Sequence, residues 1–361
     1  MTRVWPFSIG FLLPPVIFVS LGLGGWWVWL PVALMYVGLP IADRLTPLNP
    51  TAHSAEDTRR LISTMAFRRL TWCWVPVHVV TLMWALWTFT SQPLSYVEAV
   101  GLIMSVGTIA GGIGITYAHE LIHRTDRFEL MLGDVLLALV TYPHFAIEHV
   151  YGHHRHVATP LDPASARQGE GIYAFLLRAI TGGLAHAWHI EVTRVHKLNV
   201  RSWSFENRMI TYVRTVTLVY LFVGVVFGLR GMLFFAAQSF VAVVMLEAIN
   251  YVEHYGLTRR ELSPGQFERV SPRHSWDSNH RVSNWLLINL ARHSDHHLLA
   301  SKRYQALNSI EASPQLPAGY GTMLLVALVP PLWRHLMDRR IPSALEPPHQ
   351  SQRDGDVTTE A

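Results

Sequence analysis

The chain of 361 residues has one cysteine, Cys73. That count excludes an internal disulfide, a Cys-based zinc site and a Cys-ligated iron–sulfur cluster. Charge is scarce as well. Asp, Glu, Lys and Arg make up 15% of the residues, against roughly 25% in an ordinary globular domain. Half of the chain is hydrophobic, and its mean hydropathy is positive. A soluble protein this apolar could not easily cover its surface, so the composition points to a membrane protein. The basic residues fall in the connections between apolar runs. Their excess is therefore a topology signal and argues against nucleic-acid binding.

Six stretches are long or apolar enough to be membrane helices, near 7–22, 27–42, 70–91, 96–117, 211–229 and 231–250. The first two flank a tight GLGGW turn and read as a helical hairpin. The turns at 23–26 and 92–95 carry no Lys or Arg, and the turn near 230 carries only Arg230. By contrast, 43–69 carries five Arg, 118–210 nine Lys/Arg and 251–361 twelve. This alternation follows the positive-inside rule and puts both termini and the large loops in the cytoplasm; the expected location is a bacterial inner (plasma) membrane. No small-residue cleavage site follows Arg3, so the first span is expected to stay uncleaved. Residues 1–343 read as one integral-membrane domain and 344–361 as a disordered tail. Gly107 and Gly111 form a GxxxG, read as close helix packing. Stretches 129–142 and 318–335 suit interfacial or re-entrant segments, and 172–197 an amphipathic one with His186, His189 and His196 at the interface.

What the chain has in abundance is histidine, 20 in all. Four clusters stand out: His119-Glu-Leu-Ile-His123; Glu148-His149-Val-Tyr-Gly-His153-His154; Asn250-Tyr-Val-Glu253-His254; and Arg292-His293-Ser-Asp295-His296-His297. Histidines four apart (119/123, 149/153, 293/297) share a helix face and can grip one metal. The adjacent pairs 153/154 and 296/297 point about 100° apart on a helix, so they can serve two metals side by side. Glu120, Glu148, Glu253 and Asp295 each neighbour a histidine and are expected to receive the outward N–H of a ligating imidazole. A helix over 96–117 is about 33 Å long and crosses the bilayer core, delivering His119 and His123 to one side, and His254 follows the last span to the same side.

The first cluster also fits H-E-x-x-H, a zinc protease signature with Glu120 as base. That reading uses two histidines and leaves the other clusters without a role. Nine imidazoles are too many for one metal and suit two. Imidazole serves Zn, Cu, Fe and Ni alike, so the residues alone leave the metal open. A metal transporter would want ligands inside the bilayer. His144, His156, His274 and His280 read as supporting or surface residues. His78, alone inside a span, reads as a core histidine.

The clusters HELIHR, EHVYGHH, NYVEHYGL and LARHSDHH resemble those of the integral-membrane alkane monooxygenases (HELxHK, EHxxGHH, NYxEHYGL, LQRHSDHH), part of the membrane fatty-acid desaturase and hydroxylase superfamily. VATPLDPAS (157–165) and RYQAL (303–307) resemble that family too. The resemblance implies an all-α bundle of six membrane spans with a cytoplasmic histidine-rich cap. It implies two Fe held by His119, His123, His149, His153, His154, His254, His293, His296 and His297, with O2 as co-substrate. It implies hydroxylation of an unactivated, terminal C–H of an alkane. Without a CxxC pair, electrons must come from a separate acidic carrier, a rubredoxin or ferredoxin with its reductase, drawn to the Arg-rich face. A xylene-type methyl hydroxylase or a fatty-acyl desaturase would use the same metal site. Three departures from the pattern bear on substrate or donor docking: Arg124 replaces Lys, Ala291 replaces Gln, and Leu298-Leu-Ala-Ser-Lys follows HSDHH in place of a more polar run.

Overall fold

The computed structural model describes residues 3–342, so the expected tail 344–361 lies outside the described residues. Five helical stretches are long and apolar enough to cross a membrane: α1 Trp5–Leu23, α2 Gly25–Leu45, α3 Met65–Ser91, α4 Tyr96–Ile122 and, further along the chain, Arg208–His254. Helix α5 (Arg127–Ala138) and α6 (Ile172–Lys197) lie between α4 and that last stretch, which is therefore α7. Short helices follow: α8 Arg281–Leu286, α9 His293–Leu298, α10 Tyr320–Ala327 and α11 Pro330–Met337.

The expected spans 211–229 and 231–250 both fall within α7, whose backbone turns back at Gly228 (φ 65°, ψ −169°). That dihedral pair is open to glycine and strained for any other residue. Tyr220 and Phe235 then meet with ring centroids 5.1 Å apart, where a straight helix would hold them about 22 Å apart. α7 is thus two antiparallel limbs. Between α1 and α2 the break falls at Gly24 (φ 72°). There the Gly25 N–H donates to Glu98 at 2.7 Å, and Glu98 also forms a capping box with Ser95. One carboxylate thereby ties the first hairpin to the start of α4.

α4 is the most enclosed of these helices, and its glycines allow that. A methyl group on Gly107 would fall 2.6 Å from Val241 Cβ, and one on Gly111 would fall 2.7 Å from the Ala242 carbonyl oxygen. The second limb of α7 therefore packs against α4 nearly backbone to backbone, which in lipid is the main source of helix association. Gly111→Ala should cost about 1–3 kcal/mol. A thermal unfolding scan in detergent that left the midpoint unchanged would refute this packing.

The structure revises several boundaries. α4 continues past residue 117 to Ile122, so His119 stands on the helix and His123 at its C-terminal cap. The 129–142 stretch begins as α5, capped by Asp126, which accepts from the N–H of Phe128 and Glu129. The 318–335 stretch is α10 and α11, broken before Pro330 and Pro331. The chain is mainly helical but not wholly so. Glu261–Ser263 pairs antiparallel with Gln266–Phe267, where Pro264 and Gly265 (φ 75°) supply the turn that helical periodicity gives no hint of.

A buried ion cluster braces the segments around the end of α4. Glu129 has no exposed side chain and receives Arg303, Arg68 and the Trp72 indole N–H. It joins α3, α5 and the RYQAL stretch, whose Tyr304 and Gln305 also donate to the Phe67 and Leu61 carbonyls.

Candidate metal centre

The four histidine clusters reach one place from four directions. His119 rides the last turn of α4, and His123 closes it. His149, His153 and His154 come from a single wide helical turn, Glu148–His153, and the residue after it. His254 ends α7. His293, His296 and His297 line α9. α9 is held by a buried acid that the sequence reading did not single out: Asp277 accepts from the Ser294 N–H and Oγ at 2.8 and 2.6 Å and from Ser313 Oγ at 2.8 Å. Burial pushes the Asp277 carboxyl up to about 6.

The rings sort into two groups. His119, His123, His149, His154 and His296 form one, and His153, His254, His293 and His297 the other, with the ligand atoms of each within 4.8 Å of one another. The adjacent pairs 153/154 and 296/297 give one ring to each group, as their angular offset on a helix predicts. The groups adjoin, with the His154 and His297 ring centroids 4.5 Å apart.

In all nine residues the Nε2 atom faces another ring or has no hydrogen-bond partner. His154 Nε2 lies 3.1 Å from His149 Nε2 and 3.0 Å from His296 Nε2. His293 Nε2 lies 3.0 Å from both His254 Nε2 and His297 Nε2. The Nε2 atoms of His119, His123 and His153 are buried with no partner. A neutral imidazole has a single N–H, so one nitrogen cannot donate to two others that also need donors. Lone pairs converging in a dry site are satisfied by a cation, and this donor set fits two metal ions. Burial, and after it the neighbouring rings, hold His149, His154, His293, His296 and His297 well below the ordinary histidine range. They are neutral near pH 7, the form that binds metal.

The carboxylates behave differently from the sequence expectation. Glu253 stands beside the second group: its Oε2 is 3.3 Å from His293 Nε2, the inward nitrogen, while its Oε1 accepts from Tyr320. Glu148 faces His186 Nδ1 at 3.3 Å. Asp295 takes Lys302 Nζ at 2.6 Å and the Asn308 N–H. Glu120 takes Arg124 and the Tyr304 N–H. None of these last three touches a clustered ring through a hydrogen bond. The carboxylate that does is Asp162, whose Oδ2 lies 2.8 Å from His153 Nδ1. Ser165 Oγ and the Ala164 N–H also donate to Asp162. Burial opposes this anion, but the His153 ring and these donors outweigh it and hold Asp162 down to about 2. Burial likewise lowers His153, yet Asp162 wins and raises it. The same field favours a cation on the other nitrogen. The signal for Asp162 lay in VATPLDPAS, an acid between two prolines shortly after the second cluster.

Two of the departures in the motifs answer each other. The buried Arg124 guanidinium reaches the carbonyls of Ser301 and Lys302 at 2.6 and 3.3 Å, and Lys302 in turn pairs with Asp295. A lysine at 124 has no fork to span both carbonyls. Ala291 is fully buried, with its carbonyl accepting from the Ser278 N–H.

Of the remaining histidines, His144 is buried against Tyr142, His156 lies beside His186, His274 pairs with Glu268, His280 with Ser278, and His196 with Ser202. His78 is buried in α3 beside Trp74 with neither nitrogen partnered.

Between the groups lies a small cavity of about 20 Å³, room for about one water. His119, His149, His293 and Glu253 form its polar side, and Ile115, Leu246, Ile249 and Leu290 its apolar side. Ile249 also borders a second apolar cavity toward Met35, Tyr36 and Leu324.

The fatty acid desaturase family matches residues 93–326. Alkane 1-monooxygenase 2 of Pseudomonas aeruginosa is 40% identical over 87% of this chain and 84% of its own length. Alkane 1-monooxygenase 1 of the same organism is 42% identical, over 88% and 83%. The hydroxylase component of a xylene/toluene monooxygenase from Pseudomonas putida is 27% identical, over 86% and 81%.

Proposed function

The chain belongs to the alkane 1-monooxygenase family, within the wider fatty acid desaturase group, and from that premise we propose that it hydroxylates a terminal C–H bond of an alkane at a di-iron centre. The observation that carries this reading is the sorting of nine inward imidazoles into adjoining groups of five and four. His119, His123, His149, His154 and His296 would hold one iron. His153, His254, His293 and His297, with Glu253 beside them, would hold the other. When bound, the irons supply the redox chemistry by which one O2, two electrons and two protons convert R–H into R–OH and water.

The residues of the chain do the rest. Ile115, Leu246, Ile249 and Leu290 keep water from the reacting carbon and press an alkyl terminus toward the polar side of the cavity. Asp162 fixes the tautomer and orientation of His153. The apolar contacts from Ile249 to Met35 mark the direction from which a lipid-dissolved chain approaches. The turn at Gly228 supports six crossings, and the basic connections support a cytoplasmic metal centre in the inner membrane. With one cysteine in the chain, electrons would come from a separate acidic rubredoxin or ferredoxin with its reductase.

An alkane is favoured over a methylarene because the alkane enzymes are 40% and 42% identical and the xylene enzyme 27%. The test is to supply octane, hexadecane and xylene to cells expressing the chain with a carrier and reductase. 1-Octanol or 1-hexadecanol as the main product supports the proposal. Methylbenzyl alcohol alone, or unsaturated acyl chains in the lipids, would overturn it in favour of the xylene-type or desaturase outcome.

A further inference from the structure

A cavity of about 510 Å³ lies away from the histidine groups, between the start of α1, the stretch after α2 and α8. That volume is in the range that holds a small ligand. Its wall carries Arg3, Arg60, Arg292 and His53 against the carboxylate of Asp57, which already accepts from Ser54 Oγ at 2.9 Å. Arg292 is only 2% exposed. Its terminal nitrogens donate to Leu307 O and Thr51 Oγ1, while its Nε and the Nε2 of His53 are buried without a partner. A buried cation with an unanswered N–H is costly, and an entering anion relieves it.

Two tryptophans form part of the lining. Trp5 and Trp285 stand there with ring centroids 6.2 Å apart, and Trp5 is 63% exposed. Trp5 is also the first residue of α1, so the cavity lies beside the start of a membrane span. Tryptophan at that level sits among lipid headgroups.

We propose that this cavity binds the phosphate of an anionic phospholipid from the adjacent leaflet, with its glycerol against the two tryptophans. The inference rests on α1 being a membrane span and is independent of the hydroxylase chemistry. Arg292 immediately precedes His293 in α9, so a lipid seated here would also stiffen the support of the second histidine group.

The experiment uses the purified full chain in nanodiscs of phosphatidylcholine with and without phosphatidylglycerol. Retained lipid is read by native mass spectrometry and stability by the thermal midpoint. Phosphatidylglycerol is expected to be retained preferentially and to raise the midpoint. Arg3→Gln with Arg60→Gln, both exposed and outside the metal centre, should weaken that retention by about 30-fold, since each basic residue near a lipid surface adds about one tenfold step or less. The paired Lys substitutions should restore most of it. Equal retention of both lipids overturns the proposal. So does equal protection by inorganic phosphate, which would assign the cavity to a soluble anion. Unchanged lipid retention in the Gln variant with loss of carrier-driven turnover would also overturn it, because the basic patch would then serve a protein partner.

Discussion

His254→Ala should reduce bound metal from about two ions per chain to about one and lower hydroxylation by at least about 10³-fold. The reason is arithmetic within the second group. It has four rings, and removing one leaves three imidazoles, with the Glu253 carboxylate already engaged by Tyr320 and so a poor replacement. His296→Ala takes one ring from the group of five, which keeps four. It should retain metal nearly in full yet lose most activity, because the geometry between the two ions changes. Metal analysis of both purified variants alongside product formation checks this. A single zinc per chain, with activity indifferent to both substitutions, would instead favour the HExxH hydrolase reading.

Asp162→Ala should have the next largest effect, on two measurements at once. The side chain is fully buried and ion-paired with His153, so its removal should cost about 3–5 kcal/mol of stability. It should also weaken metal binding in the second group by about 10–100-fold, as loss of a carboxylate behind a ligating histidine does. Asp162→Asn keeps the volume and an acceptor for His153 and should recover more of the stability than of the affinity. The pH dependence has a definite sign. Asp162 is held down to about 2 in the folded chain, below the ordinary value near 3.9. Its stabilisation is therefore complete above about pH 4 and is lost as pH falls toward about 2. His149, His154, His293, His296 and His297 are lowered too. They bind protons on unfolding as pH falls below about 6.5, so the metal-free chain should weaken in acid well before Asp162 titrates. Denaturation of the chelated protein followed across that range would show whether the first loss begins near the histidine value. A flat profile down to pH 4 would contradict it.

Much of the fold was legible in the residues because membrane spans are written in local composition. A run of apolar residues without charge must be helical in lipid, since no other backbone donor or acceptor is available there. α1 to α4 accordingly fall close to where hydropathy puts them. The GxxxG spacing in α4 predicts close packing, and its glycines meet the backbone of α7. The small Glu261–Phe267 hairpin was not legible, because a Pro-Gly turn outside the bilayer leaves no periodicity to read.

Sequence by itself determined which imidazoles share a helix face, since spacing of four along a helix is a local property that survives any tertiary arrangement. It also determined that adjacent histidines look in different directions, and hence that two groups were to be expected. Only the tertiary structure decided the membership of each group. It passed over Glu120, Glu148 and Asp295 for Asp162, and it turned Glu253 toward the inward face of His293. The physical reason lies in the joints. Ala158 (φ 59°), Ile288 (φ 42°) and Asn289 (φ 60°) hold backbone conformations that no periodic pattern encodes. These joints lie in the segments that carry Asp162 and α9 to the rings, and long-range packing pays for them.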